Sequence, residues 1–187
     1  MSSLNLRKGL LVVFAFCSYI THAQNNLKQF SDELAKKFAT KDTIFKAPYV
    51  DVDEWRDKPV RHRYVHGGFK GSDTRFSFYF PLKEKYKGHF FQYITPFPDN
   101  ENLSQGASGE EDKIGFSIAS GAYFIETNGG GKIDFAKPGL GGDATIGAYR
   151  ANAAAAQYSR VVAAQIYGQH RTYGYAFGGS GGKAVDS

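Results

Sequence analysis

A serine lies at the centre of a glycine-rich segment near the end of the chain. Gly178, Gly179, Ser180, Gly181 and Gly182 fit the pattern Gly-x-Ser-x-Gly. In a nucleophile elbow this pattern turns sharply from a strand into a helix, which lifts the serine hydroxyl above the sheet. The flanking glycines let strand and helix pass closely, and the amide after the serine faces the developing oxyanion. The chemistry indicated is acyl transfer, with Ser180 as nucleophile and the Gly181 N–H as an oxyanion donor.

Other interpretations of this segment have to be weighed. A P-loop requires Gly-x-x-x-x-Gly-Lys-Ser/Thr, but Phe177 replaces its first glycine and Ala184 its hydroxyl residue. The stretch from Gly179 to Ala184 matches the looser dinucleotide pattern Gly-x-Gly-x-x-Ala, which normally follows the first strand of its unit. A glycine-rich connection without chemistry also remains open. The elbow is favoured because a strand is predicted before the segment, and Lys183 to Val185 can begin a helix.

An elbow serine needs a general base. The usual chain order is serine, then Asp or Glu, then His. Asp186 lies in the predicted elbow helix, the wrong place for the acid, and the four histidines that follow the predicted signal peptide all precede Ser180. These are His62, His66, His89 and His170. We therefore expect the acid and the histidine downstream, and the chain to be an N-terminal fragment, inactive and poorly folded because its sheet keeps an unpaired edge.

Several other residues are of types that could take part in chemistry. His66-Gly67-Gly68 resembles an oxyanion motif, but its position in the first hairpin predicts a strand-end turn. The loop beginning near Tyr93 is the better second oxyanion donor. His62 and His66 lack an evident third metal ligand, and His170 is predicted to be a surface residue. We expect neither a cofactor nor a metal.

The first half of the chain predicts a helix followed by strands. Apolar residues at helical spacing predict an amphipathic helix over 25–39. Arg63–Phe69 and Arg75–Phe80, joined by a turn at 70–73, predict a hairpin. A further strand is predicted over His89–Thr95, and a polar loop over 99–113.

The second half alternates helices and strands. A helix is predicted over Ile114–Ser120, a buried strand over Ala122–Thr127, and a strand over Thr172–Phe177. The longest predicted helix is Ile146–Tyr167, with Asp143 or Thr145 as its cap and Gly168 after its end. A long glycine-rich loop over 128–142 precedes it. The alternation indicates a parallel α/β sheet, and the hairpin adds antiparallel strands at its start.

The N-terminal segment predicts export. Arg7 and Lys8 precede an apolar stretch, Gly9 to Tyr19, that is too short to span a bilayer as a helix. Small residues at Thr21 and Ala23 predict cleavage after Ala23. An uncleaved membrane anchor is the alternative, and Phe16 argues against a lipid on Cys17, the single cysteine. The predicted location is therefore secreted or periplasmic, with no stable membrane insertion after cleavage.

Composition narrows the function classes. Hydrophobic residues make up 42% of the 187 residues, which argues against global disorder. The net charge of +5 becomes +3 once the two cations of the predicted signal are removed, and the remaining cations are scattered among acids. That pattern does not indicate nucleic-acid binding. We expect a signal peptide over 1–23, a helix and linker over 24–46, and a single domain over 47–187.

Several stretches resemble the tannase and feruloyl-esterase group of the α/β-hydrolases. Lys87–Gln92 and Gly121–Thr127 are similar to two of its strands, and Tyr173–Gly182 is similar to its elbow. Tyr149-Arg150 and Tyr167-Gly168 are similar to the bounds of its long helix. The group carries a cysteine where this chain has Gly179, so the disulfide that couples its nucleophile and histidine is absent here.

The resemblance implies an α/β-hydrolase-like sheet, truncated at its C-terminus, and an exported serine hydrolase acting on a small-molecule or polysaccharide-linked ester. The alternative function is a non-catalytic exported protein that binds carbohydrate or a cell surface. In that case the hairpin aromatics, Tyr64, Phe76, Phe78 and Tyr79, would face a ligand rather than the core.

Overall fold

A computed structural model describes residues 22–95, 100–131, 143 and 145–178. These residues form a mixed six-stranded sheet in the order β1-β2-β3-β5-β4-β6. The strands are β1 (Pro48–Arg56), β2 (His62–Phe69), β3 (Arg75–Phe80), β4 (His89–Tyr93), β5 (Ala122–Thr127) and β6 (Tyr173–Phe177). The helices are α1 (22–37), α2 (Lys113–Ala119) and α3 (Ala151–Tyr167). The chain is thus an α/β protein.

The sheet has an antiparallel and a parallel part. Neighbours from β1 to β3 and then β5 run antiparallel, whereas β4 lies parallel to both β5 and β6. The predicted hairpin is confirmed as β2 and β3, in which Val65 pairs with Phe78. The predicted parallel strands are confirmed as well. The connection from β4 to β5 contains α2 and that from β5 to β6 contains α3, and a helix is the usual crossover between parallel strands.

Strand β1 was not singled out from the sequence. It alternates poorly because Asp51, Asp53 and Glu54 interrupt its apolar residues. It lies at one edge of the sheet, where charged side chains are common because they discourage pairing with other chains. The edge position therefore explains why its hydrophobic pattern is weak.

Alternate residues of β5 point to two different cores. Tyr123 and Ile125 join the core cluster that contains α3, while Phe124 joins Ile114 and Ile118 of α2. Because successive strand residues point to opposite faces, α2 and α3 cover opposite faces of the sheet. The chain therefore has the three-layer arrangement of α/β folds.

The predicted helices are confirmed with shifted bounds. Helix α1 begins and ends before the predicted 25–39, and its Leu34 is fully buried in the α3-side core. Residues 146–150 form one π-helical turn ahead of α3. Gly168, just after α3, has a φ of 95°, which favours glycine. The described helices include none long and apolar enough to cross a membrane.

Two predictions about the hairpin are settled by the structure. His66-Gly67-Gly68 is not a strand-end turn, because it lies within β2. Glycine is needed at 67 for close packing, since a Cβ there would lie 2.0 Å from the Tyr49 carbonyl oxygen in β1. The hairpin aromatics are core residues rather than a ligand-binding face, as each is at most 3% exposed. They are Tyr64, Phe76, Phe78 and Tyr79.

Candidate functional site

The carboxyl ends of three parallel strands lie side by side. Here the edge of the sheet means this line of strand ends, not an outermost strand. β5 ends at Thr127, β4 at Tyr93 and β6 at Phe177. The Gly-x-Ser-x-Gly segment begins at Gly178, directly after β6, and so starts at this edge. Ser180 and Gly181 themselves lie outside the described residues.

The same edge contains a topological switch point. The chain leaves β4 for α2 on one face and leaves β5 for α3 on the other. In open α/β sheets, ligands bind in the crevice outside the carboxyl ends of strands whose connections diverge in this way. By this rule the expected ligand position is above the ends of β4 and β5, beside β6.

The last residues of β4 and β6 are tightly joined. The Ile94 N–H donates to the Phe177 carbonyl oxygen at 2.8 Å. A Cβ on Gly178 would lie 2.5 Å from the Ile94 carbonyl oxygen, a backbone atom that cannot easily move. Glycine is therefore required at position 178 by its close approach to the backbone just after β4.

Tyr93 closes β4 and is half-buried. Its ring lies 5.5 Å from that of Phe177, and the Lys113 ammonium lies 5.0 Å from its centroid. The next amide, that of Ile94, already donates to Phe177. An oxyanion donor from this loop would have to come from beyond Ile94, and residues 96–99 lie outside the described residues.

A buried polar cluster fastens α3 to the site edge. The Thr127 hydroxyl donates to Asn152 Oδ1 at 2.7 Å, and Gln92 Nε2 donates to the Asn152 carbonyl oxygen at 2.9 Å. The Gly129 N–H in turn donates to Thr127 Oγ1 at 3.1 Å. Asn152 thereby holds the ends of β4 and β5 against the start of the long helix.

The loop after β5 is anchored where it leaves the sheet. Asn128 Oδ1 accepts from the Arg75 N–H at 3.0 Å, and its Nδ2 donates to the Asp73 carbonyl oxygen at 2.8 Å. Gly130 and Gly131 follow with positive φ values of 100° and 104°. The glycine-rich loop thus begins in a fixed position, and residues 132–142 lie outside the described residues.

Glu126 is a fully buried carboxyl group near this edge that the sequence analysis did not single out. It accepts from the Tyr79 hydroxyl at 2.6 Å and from the Ser104 N–H at 3.1 Å. Burial raises the pKa of Glu126 to about 7, although these two hydrogen bonds act in the opposite direction. Its signal in the sequence was a lone charge inside the apolar run Ala122–Thr127.

The histidines on the sheet do not meet the end of β6. His62 is the first residue of β2 and His89 is the first residue of β4. Both therefore lie at the opposite end of the strands from the carboxyl end of β6. His170, predicted to be on the surface, is half-buried and lies 2.8 Å from the Tyr86 hydroxyl. It precedes β6 and therefore also lies at the opposite edge.

His66 is held by two carboxylates. Its Nδ1 lies 2.6 Å from Asp51 Oδ1 and its Nε2 lies 2.9 Å from Glu101 Oε1. It belongs to β2, four strands from β6, which corresponds to roughly 19 Å at the usual strand spacing. Both ring nitrogens are engaged, so His66 is not placed to activate Ser180. The described residues contain no group of three or more His, Cys, Asp or Glu suited to a metal ion.

Comparison with known proteins shows a distant structural similarity and no family match. No family model matches the chain, and no curated protein matches it. Among solved structures, the chain is similar to tannin acyl hydrolase from Aspergillus niger, with 13% identity and a TM-score of 0.49. The match covers 79% of this chain and 31% of that one. An overlap of this size assigns neither a family nor an activity.

Proposed function

We propose that this chain carries the nucleophile of an exported serine hydrolase that cleaves carboxylic esters by acyl transfer. The supporting observation is the position of the Gly-x-Ser-x-Gly segment. It directly follows a parallel strand at the switch-point edge, and its first glycine packs against the Ile94 carbonyl. A flexible glycine-rich linker would not be expected to need glycine at a position in close contact with a neighbouring backbone.

In the proposed reaction, Ser180 loses its proton to the general base and attacks the ester carbonyl, while the Gly181 N–H stabilises the oxyanion. The ester C–O bond then breaks, the alcohol leaves with that proton, and an acyl-enzyme remains. The acyl group is then transferred to water. Because His62, His66, His89 and His170 do not lie at the end of β6, the proposal places the general base and its acid outside the described residues and later in the chain than Ser180, in the usual order.

The substrate class follows from the resemblance of the elbow and its neighbouring strands to tannases and feruloyl esterases. We propose aromatic or sugar-linked esters. The alternative, a non-catalytic binding protein, depended on the hairpin aromatics facing a ligand, and these are buried in the two cores. The serine hydrolase is therefore the better-supported proposal.

Covalent labelling tests the proposal. The full-length protein is treated with a biotinylated fluorophosphonate, and the modified peptide is identified by mass spectrometry. We expect modification at Ser180, and hydrolysis of a p-nitrophenyl ester that falls about 10³-fold or more in Ser180→Ala. Ser108→Ala, which removes an exposed hydroxyl on a loop, is the matched control and should label normally. Equal labelling of Ser180→Ala, or none in the parent protein, would refute the assignment.

A further inference from the structure

Strand β6 carries a row of exposed aromatic side chains. Tyr173, Tyr175 and Phe177 are 53%, 56% and 38% exposed. They alternate with Gly174 and Ala176, and so they share one face of the sheet. Because residues two apart in a strand are separated by about 6.5–7 Å, the three rings follow one another closely along β6.

Two further rings widen this row. The Phe91 ring of β4 lies 5.8 Å from that of Tyr175 and 5.7 Å from that of Phe116 in α2. Phe116 is 62% exposed. These contacts place the row on the face of the sheet that carries α2, and we call the five side chains together the aromatic strip. Contiguous exposed apolar surface of this kind commonly marks an interaction site.

Unpaired cations lie at the amino end of the aromatic strip. The Arg171 guanidinium is 4.8 Å from the centroid of the Tyr173 ring. The Tyr173 N–H donates to the Gly88 carbonyl oxygen at 3.0 Å, which brings the adjacent Lys87 to the start of β6. Lys87 and Arg171 are exposed, and neither forms an ion pair with any residue that the structure describes.

The charge at this end is positive on balance. The two chain segments that form it, 81–89 and 168–177, contain four cations and a single acid, Glu84. At the other end of the strip Lys113 is already paired with Glu111 at 2.8 Å. Free positive charge is therefore confined to one end of an aromatic surface.

This arrangement fits a polysaccharide in which an acidic sugar lies among neutral ones. The electronegative face of an aromatic ring packs against the C–H groups of a sugar ring, and tyrosine hydroxyls can hydrogen-bond to sugar hydroxyls. A nucleic acid fits less well, because it places a phosphate at every nucleotide along the strip. A membrane surface also fits less well, because proteins usually lie on lipid through a long amphipathic helix with cations along its polar face.

We propose that the aromatic strip binds a polysaccharide chain, with its acidic sugar at Arg171 and Lys87. The sugar carboxylate pairs with these two cations, and neutral sugar rings pack on Tyr173 and Tyr175. Binding needs no hydroxyl at position 180, so Ser180→Ala should bind as the parent protein does. The proposal therefore holds or fails independently of the hydrolase assignment.

Two matched probes test the charge requirement by isothermal titration calorimetry, at a protein concentration where the protein sediments as a monomer. One is a xylo-oligosaccharide that bears a glucuronic acid, and the other is the same compound with its carboxyl group reduced to an alcohol. We expect the acidic compound to bind about 3- to 10-fold more tightly in low salt, and this difference to shrink in about 0.5 M NaCl.

Three results would overturn the proposal. The first is equal affinity for the two compounds in low salt, and the second is no binding of either up to about 10 mM. The third is tighter binding to a single-stranded oligonucleotide or to phosphatidylserine vesicles than to the acidic compound.

Variants locate the binding surface. Tyr175→Ala should weaken both compounds about 2- to 10-fold, because it removes a stacking ring. Arg171→Gln should remove most of the preference for the acidic compound and leave the reduced one within about twofold of the parent. Tyr149→Ala and Lys70→Gln change an exposed tyrosine and an exposed lysine elsewhere, and as controls they should alter neither affinity. An unchanged preference in Arg171→Gln would contradict the assignment even if Tyr175→Ala fails to fold.

Discussion

Glu126 is the residue at which burial most clearly changes the chemistry of a side chain. An exposed glutamate has a pKa of 4.5, whereas that of Glu126 is about 7 because its side chain is fully buried. Between these values the folded protein holds a proton that the unfolded chain has lost. Stability therefore falls as the pH rises through this window and levels off above it.

Replacing this carboxyl group should remove its contribution to the pH dependence. We expect Glu126 to lower the free energy of unfolding of the parent protein by about 2–3 kcal/mol between about pH 5 and about pH 8. In Glu126→Gln the drop should be much smaller, since the amide stays neutral and keeps one acceptor. Urea unfolding at both pH values measures this. Glu110→Gln, an exposed carboxylate, serves as control, and an identical drop in Glu126→Gln would contradict the assigned burial.

At the scale of elements, the candidate site depends on how α3 is fixed to the strands below it. The side chain of Asn152, in the first turn of α3, accepts from Thr127 of β5 and also from Gln92 of β4. The helix therefore sets the relative positions of two strand ends at the switch point. Further along α3, Ala155, Tyr158 and Val162 are fully buried in the core between the helix and the sheet.

Asn152→Ala tests this anchoring. The Thr127 hydroxyl would lose its acceptor in a buried position, so we expect the free energy of unfolding to fall by about 1–3 kcal/mol. The Gly129 amide, which donates to that hydroxyl, should exchange its hydrogen faster. Gln157→Ala on the exposed face of α3 is the matched control and should stay within about 0.5 kcal/mol of the parent. Slow exchange at Gly129 in Asn152→Ala would show that the loop is held by other contacts.

At the scale of the whole molecule, the two outermost strands of the sheet differ in their exposed side chains. β1 forms one edge and carries acidic residues, as protected edges commonly do. Among the described residues, β6 forms the other, and all five of its residues are exposed, including Tyr173, Tyr175 and Phe177. An edge strand with aromatic side chains and unpaired backbone groups favours pairing with other chains.

Self-association of this chain should therefore run through β6. We expect the weight-average mass in sedimentation experiments to rise with protein concentration, and Tyr175→Lys to suppress that rise because a charge on an edge strand opposes pairing. Tyr149→Lys changes an equally exposed tyrosine away from the sheet and is the control. If both variants associate as the parent does, β6 is not the associating edge.

The sequence by itself determined the type and order of most elements. Periodicity and turn residues are local properties, so they predicted the β2–β3 hairpin, the strand over Ala122–Thr127 and the long helix α3. They also placed Ser180 directly after a strand. The same local signals failed for β1 and for Gly67. Gly67 must be small because the backbone of Tyr49, on a neighbouring strand, passes close to it.

The tertiary structure alone decided which residues meet. The order of strands brings the ends of β4, β5 and β6 to one edge, because the connections through α2 and α3 lie on opposite faces. It buries Glu126, sets His66 between Asp51 and Glu101, and presses Gly178 against Ile94. These contacts join residues far apart in the chain, and their energies depend on distance and burial, which no local pattern records.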